Sequence, residues 1–396
     1  MAKRKKPNTL PKFMAILLLI LAVVAVAVGI SSCNEDDPAI ETNATEPEKT
    51  EESTKSPEES TSEETVPETV PETVPQETDA PVVVPKFYNP LTGLECSEEM
   101  SLRRPIGIMI NNISISLPQE GITYGDVIYE CLAEGGITRL FMLVQDYEKL
   151  PNVGSVRSTR DYFLDFAQNH DALFFHAGGS DKAYSEIQSR KIDNFDGVRM
   201  NIPNSFFRDP WRVSQMGYEH TMVITGEGMV NAINYRNART TLKEDFKSPF
   251  NFASENKTPD GDDAKCVYIP FSYESSPYHK YNPSTNTYKT WRKQGQEHED
   301  KDGKQLEFTN IIILFCHHTG PLDDKLRIEV TTTGEGEGYY ISGGKYVPIK
   351  YSKANEDAQL VLMNEDGSPL EINKGKTYIA IFNSASKANI NLNYNA

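Results

Sequence analysis

The sequence predicts an α+β fold: an N-terminal mixed α/β domain with helices layered on a sheet, followed by a smaller β-rich antiparallel domain. Three observations predict it. Apolar runs of strand length recur at 106–112, 126–134, 137–145 and 171–176. Tyr162, Phe163, Phe166 and Ala167 have helical spacing, and a second helical stretch runs from Asp181 to about Arg190. Beyond a polar stretch at 251–263, the pattern becomes short strands punctuated by turns.

The chain has 396 residues, with 57 acidic against 40 basic and a formal net charge of −17. That length leaves ample chain for a real core. The acidic balance argues against a nucleic-acid partner, because no basic, aromatic-studded surface is present. The acidity is concentrated: residues 34–85 hold 16 acidic residues and two basic ones, whereas residues 1–33 hold five basic residues and no acidic one.

Lys3, Arg4, Lys5, Lys6 and Lys12 precede an uncharged apolar run from Phe13 to Ile30, and then Ser31-Ser32-Cys33. This is the layout of a bacterial export signal. Ile30-Ser31-Ser32-Cys33 resembles a lipobox, in which the cysteine is diacylated and becomes the new N-terminus. The run is also near the minimum length for one uncleaved spanning helix. On either reading the positive flank stays inside and the rest of the chain lies outside the cytoplasm. The expected location is the extracytoplasmic face of the cell membrane, anchored by lipid on Cys33.

Residues 34–86 read as a disordered acidic Pro/Glu/Thr linker, with few large apolar side chains to offset chain entropy. A Val-Pro-Glu-Thr unit repeats from Val66, and proline at that spacing with repelling glutamates favours extended chain. Fully extended, the segment reaches roughly 160 Å at about 3.1 Å per residue, a spacer suited to a thick wall. Beyond Cys33, Cys96, Cys131, Cys266 and Cys316 permit two disulfides, but Cys131 and Cys316 lie in apolar runs and read as buried thiols.

In the folded part, assigned to domains at 88–250 and 263–396, Gly135-Gly136 between two apolar runs reads as a hairpin turn. A two-glycine turn sets Leu132 opposite Arg139 and Glu130 opposite Phe141. Alternation then places Glu130, Glu134 and Arg139 on one sheet face, either as an ion pair pinning register or as one wall of a polar pocket. Next, Gly154-Ser155-Val156-Arg157-Ser158-Thr159-Arg160 leads into the first helix, with Ser155 or Ser158 as its expected cap. Arg157 and Arg160 oppose the helix dipole there, which calls for an anion or the Glu130/Glu134 pair nearby. His176-Ala177-Gly178-Gly179-Ser180 joins a strand to a helix N-terminus, a geometry that can present N–H groups to an anion.

His176-Ala177-Gly178-Gly179 also resembles the oxyanion loop of some esterases, but no Gly-x-Ser-x-Gly elbow accompanies it. Neither a His-Glu-x-x-His motif nor a Walker loop is present. The histidines form no ligand cluster, so neither metal nor cofactor is expected. Glu297-His298-Glu299-Asp300 reads as a solvated hairpin tip. A helix is expected over Met229–Arg239. Strands are expected near 308–315, 326–333, 338–342, 346–351, 359–363 and 377–382, with a turn at Ser342-Gly343-Gly344-Lys345.

At these motifs the chain resembles the YerB-like lipoproteins of Gram-positive bacteria, whose domains are of unknown function. The carrying runs are 104–112, 126–130, 134–139, 154–160 and 176–180, joined by Arg208-Asp209 and His220. Tyr281–Tyr288, Asn310–Leu314 and Gly334–Ser342 resemble the family's second domain. Glu219 before His220 departs from the family's Pro-His-Asn-like stretch, and Ile349-Lys350-Tyr351 stands where a tryptophan is expected. The resemblance spans 88–384 and implies fold and location, but no established reaction.

The expected function is a non-catalytic envelope protein that binds cell-wall material or a wall-remodelling enzyme through an Arg-rich polar cleft. Candidate partners are peptidoglycan, an anionic wall polymer or a wall hydrolase. The candidate ligand-binding residues are Glu130, Glu134, Arg139, Arg157, Ser158, Arg160, His176, Gly178, Gly179, Ser180, Arg208 and Asp209. The alternatives are a wall-directed hydrolase using Glu130, Glu134 or His176 as acid or base, and a scaffold whose ion pairs only fix register.

Overall fold

The computed structural model describes residues 86–293 and 295–396; the export segment, Cys33 and the acidic repeats lie outside these. Among the described residues no helix is long and apolar enough to cross a membrane. The apolar runs do form strands: β1 Ile106–Asn111, β2 Val127–Leu132, β3 Thr138–Val144, β4 Leu173–His176 and β5 Asn194–Asp196. The later strands are β6 Asp262–Asp263, β7 Asn310–Cys316, β8 Gly334–Ser342, β9 Lys345–Lys353, β10 Val361–Asn364 and β11 Thr377–Asn383.

These eleven strands make one mixed sheet in the order β6-β9-β8-β7-β11-β2-β3-β1-β4-β5, with β10 also paired to β9. Both sequence regions therefore meet in a single sheet. The junction is β11, which runs parallel to β7 on one side and to β2 on the other, Tyr378 beside Ile128 and Ala380 beside Glu130. The described residues accordingly belong to one compact unit. The polar stretch at 251–263 joins this sheet through β6, which pairs with β9, while Asn251–Phe252 and Glu371–Ile372 form a separate parallel pair.

Helices α1 Asp161–Asn169 and α2 Asp181–Ser189 cover one face, where Tyr162, Phe163, Phe166 and Ile187 pack with Tyr129, Phe141 and Phe174. The other face packs a smaller antiparallel sheet built from Cys266–Tyr268, Tyr278–Asn282, Thr287–Lys293, Gln296–Glu297 and Glu307–Phe308. Each fully buried Leu, Ile or Phe contributes about 1.5–3 kcal/mol relative to exposure, so both layers hold the sheet. The long β8–β9 hairpin turns on Gly343 and Gly344 (φ 59° and 80°) with Ser342 opposite Lys345, a two-residue turn that glycine adopts without strain.

Four expectations are corrected. The Gly135-Gly136 hairpin closes one residue differently: Leu132 lies opposite Thr138 and Cys131 opposite Arg139, because Glu134 joins both glycines in the turn. With a side-chain period of two, that one-residue shift puts Glu130 and Arg139 on opposite faces. Arg160, not Ser155 or Ser158, is the N-cap of α1, since 154–160 is extended and bridges Thr159 to Gly179 and Val156 to Ile110. The expected strand at 326–333 shrinks to Glu329–Val330. His298 and Asp300 are buried, not solvated. Cys96, Cys131, Cys266 and Cys316 are all free thiols, the last three buried.

Candidate functional site

Glu130 projects from β2 toward the small sheet and is 3 % exposed. Its Oε1 accepts from Asn112 Nδ2 at 3.1 Å, Thr138 Oγ1 at 2.6 Å and Ser275 Oγ at 2.9 Å. Its Oε2 accepts from Tyr378 OH at 2.7 Å. A buried carboxylate is tolerated when charge-assisted hydrogen bonds replace its water, and here both oxygens are served by donors from four elements. Burial, reinforced by this carboxylate, raises the Tyr378 hydroxyl well above its ordinary pKa, so it stays a donor.

Above Glu130 opens a cavity of about 270 Å³ between the central and small sheets. Asn112, Ser275, Arg292, Lys293, Gln296 and His298 are among its walls. Arg292 comes from the inward-facing side of Thr287–Lys293 and donates to Asn112 Oδ1 and, at 2.6 Å, to the Asn112 carbonyl. Burial lowers its pKa and the nearby Glu130 charge opposes that shift. His298 is held by Gln119 Oε1 at 2.6 Å, and burial, then the charges of Arg292 and His279, drives its pKa well below the ordinary value. The imidazole is therefore neutral. Behind it, His279 meets Thr290 Oγ1 at 3.0 Å and lies 4.4 Å, centroid to centroid, from the Tyr378 ring. A neutral imidazole, a fixed amide, hydroxyls and a partly engaged guanidinium make this a binding surface offering both donors and acceptors.

Glu134, Arg139 and Arg160 form a separate cluster on the α1 side. Glu134 Oε1 meets Arg139 Nη2 at 2.5 Å, and its Oε2 meets Arg160 Nη2 at 2.7 Å. Burial would raise the Glu134 carboxyl, but the two guanidinium groups outweigh it and hold the pKa below its ordinary value. Arg139 is fully buried; burial, then Arg160, pushes its pKa down to about 10 against the pull of Glu134. The anion required beside Arg160 is thus Glu134 itself.

The other arginines are also engaged within the chain. Arg157 binds Glu219 Oε2 at 2.9 Å and the Glu219 carbonyl at 3.0 Å. Arg208 donates to the Tyr218 carbonyl at 2.7 Å and lies over the Tyr218 ring. Arg157 and Arg208 therefore converge on the 218–219 turn while Arg160 belongs to Glu134, so the three do not line one open cationic cleft. Asp209 caps the short helix Pro210–Gln215 through the Arg212 N–H at 2.8 Å. His220 is buried, with Nδ1 2.9 Å from Asn111 Nδ2.

The glycine turn is likewise occupied. Gly178 N–H donates to Asp196 Oδ1 at 2.9 Å, and the Ser180 N–H points to the Thr159 carbonyl at 3.3 Å. Ser180 caps α2 through the Ala183 N–H, and Gly179 pairs with Thr159 next to Ser158. His176 is fully buried between the Gly178 carbonyl and Asn194 Oδ1. This turn ties α2 to the 157–160 segment, a structural use of the N–H groups that the sequence offered to an anion.

Of the expected site residues, only Glu130 reaches the polar cavity. Sequence reasoning missed Asn112, Ser275, Arg292, His298 and Tyr378. No apolar alternation announced them: Glu297, His298, Glu299 and Asp300 are polar throughout, and only the fold buries the second and fourth.

Comparison with known proteins places the chain in a family. Residues 91–239 match the N-terminal domain, and residues 267–379 the C-terminal domain, of a protein of unknown function, DUF3048. The chain is 27 % identical over 321 residues to the protein named "Putative lipoprotein YerB" of Bacillus subtilis (strain 168), spanning 80 % of this chain and 92 % of that one. The crystal structure of YerB protein from Bacillus subtilis aligns with a TM-score of 0.65 at 24 % identity, covering 75 % of this chain and 96 % of that one. With both domains matched in order and the fold shared, the chain belongs to the YerB-like family.

Proposed function

We propose that this protein is a lipid-anchored envelope protein, on the outer side of the membrane, that holds cell-wall material in the cavity around Glu130 and Arg292 without cleaving it. The observation that carries this reading is the cavity's mixed polar lining on a rigid frame. Of a guanidinium's five N–H donors, Asn112 takes two from Arg292, leaving the others for a ligand. Anchoring is supported by the Cys33 motif and by the lipoprotein name of the relative; the acidic linker supplies the reach into a wall.

The same geometry gives little support to hydrolysis. Glu130 has both oxygens engaged by fixed donors, Glu134 lies on the far side of the sheet in its own ion pairs, and the other carboxyl lining this cavity, Glu274, is exposed to solvent.

The test is a pelleting assay with the full chain in detergent and purified cell wall. The wild type is expected in the pellet, with no soluble fragments released. Arg292→Gln is expected to weaken pelleting about tenfold, the cost of losing a central buried anchor. Released fragments would replace this reading with an enzyme. Pelleting unchanged by Arg292→Gln would place binding elsewhere.

A further inference from the structure

Tyr273 is 99 % exposed, at the mouth of the cavity that holds Arg292. Its ring is bare, unlike Trp211 and Tyr218, which carry Lys301 and Arg208 over theirs. The turn beneath it is nevertheless fixed. Ser272 Oγ donates to the Gly136 carbonyl at 2.5 Å and accepts from the N–H groups of Glu274 at 3.0 Å and Ser275 at 3.1 Å. The Ser272 N–H closes the turn on the Ser275 carbonyl at 3.0 Å, and Ser275 is bound in turn to Glu130. A large ring displayed in water on a rigid mount buries nothing in the folded chain. It presents a flat apolar face on a backbone turn that the fold has already fixed.

The lining beside that ring narrows the ligand class. Arg292 and Lys293 are balanced by Glu130 and Glu274, and the remaining polar walls are serines, Asn112, Gln296 and the neutral His298. A polyanion would need an excess of cations, which this cavity lacks. A sugar ring offers a C–H face for an aromatic platform and edge hydroxyls that both donate and accept. At about 270 Å³ the cavity falls below the roughly 300–1,000 Å³ of drug-sized sites. That size suits one ring, with the rest of a chain lying across the rim. We propose that Tyr273 is the stacking platform of a saccharide subsite, which takes an uncharged N-acylated hexosamine unit of a glycan strand. This rests on the reading of the cavity as the wall-binding site.

The probe is a soluble β-1,4-linked N-acetylglucosamine oligomer, titrated calorimetrically into the full chain in detergent. The wild type is expected to bind it. Tyr273→Ala is expected to bind about tenfold more weakly or worse, with an unchanged melting temperature, and Tyr273→Trp to retain binding. Affinity unchanged by Tyr273→Ala would overturn the platform. No binding of the oligomer by a chain that still pellets with wall would overturn the saccharide assignment and leave the wall-binding reading standing. Failure of both would remove both.

Discussion

Acidification from pH 7 to about 4.5 is expected to cost the folded chain several kcal/mol, because buried histidines refuse protons that the unfolded chain accepts. Burial pushes His170 and His279 down to about 3, His298 well below its ordinary value, and His318, aided by His317, to about 4. Below the ordinary imidazole value of roughly 6.5, the unfolded state binds more protons than the native state. Each such group then removes up to about 1.4 kcal/mol per pH unit, so stability is full above that value and falls as the pH drops. Asp126 acts in the opposite sense. Burial, opposed by the Gln145 N–H and Lys376, raises it to about 6, so between its ordinary value and 6 the native state holds the extra proton. Glu134, with a lowered pKa, gives way only below the ordinary carboxylate range. Burial also raises Asp165 and Glu186 and lowers His220, so five lowered histidines stand against three raised carboxyls and leave a net loss. Urea midpoints at pH 7, 6 and 5 measure it: a falling series is expected, and a flat one contradicts the burial assigned to these histidines.

The second large effect is expected at Arg212, a fully buried guanidinium in the short helix Pro210–Gln215. It binds Glu120 Oε1 at 2.8 Å, the Ser116 carbonyl at 3.1 Å and the Pro118 carbonyl at 2.6 Å. Arg212→Ala strands a buried carboxylate and two carbonyls together, with only Lys301, 3.3 Å from Glu120, left to compensate. Breaking one partner of a buried pair typically costs about 3–5 kcal/mol. Combining Arg212→Met with Glu120→Leu is expected to recover part of that loss, since no fully buried charge is then left unpaired and the partly exposed Lys301 keeps its water. Denaturant unfolding of the two variants makes the comparison. An Arg212→Ala loss below about 1 kcal/mol would contradict the buried pair.

The strands and helices were legible because their signals are local. β1 to β4, α2 capped by Ser180, and the β8–β9 turn follow from apolar runs, a cap residue and a Gly-Gly pair. What was not legible depends on long-range registration. Gly135-Gly136 marked a hairpin, but whether Glu134 belongs to the strand or the turn is decided by packing, and that choice sets which face Glu130 occupies. The site escaped for a related reason. Asn112, Ser275, Arg292 and Tyr378 meet only because β11 inserts beside β2 and the small sheet folds over both. The arginine motifs were conspicuous in sequence, but Glu134 and Glu219 complete their charge locally.

Amide hydrogen exchange on the full chain, with and without soluble wall fragments, tests the location of the binding site most directly. New protection is expected at 112–114, 273–277, 292–293 and 296–298, the segments that line the cavity. Protection concentrated at 157–160 and 176–180 instead would return the site to the arginine and glycine motifs and contradict its assignment to Glu130 and Arg292.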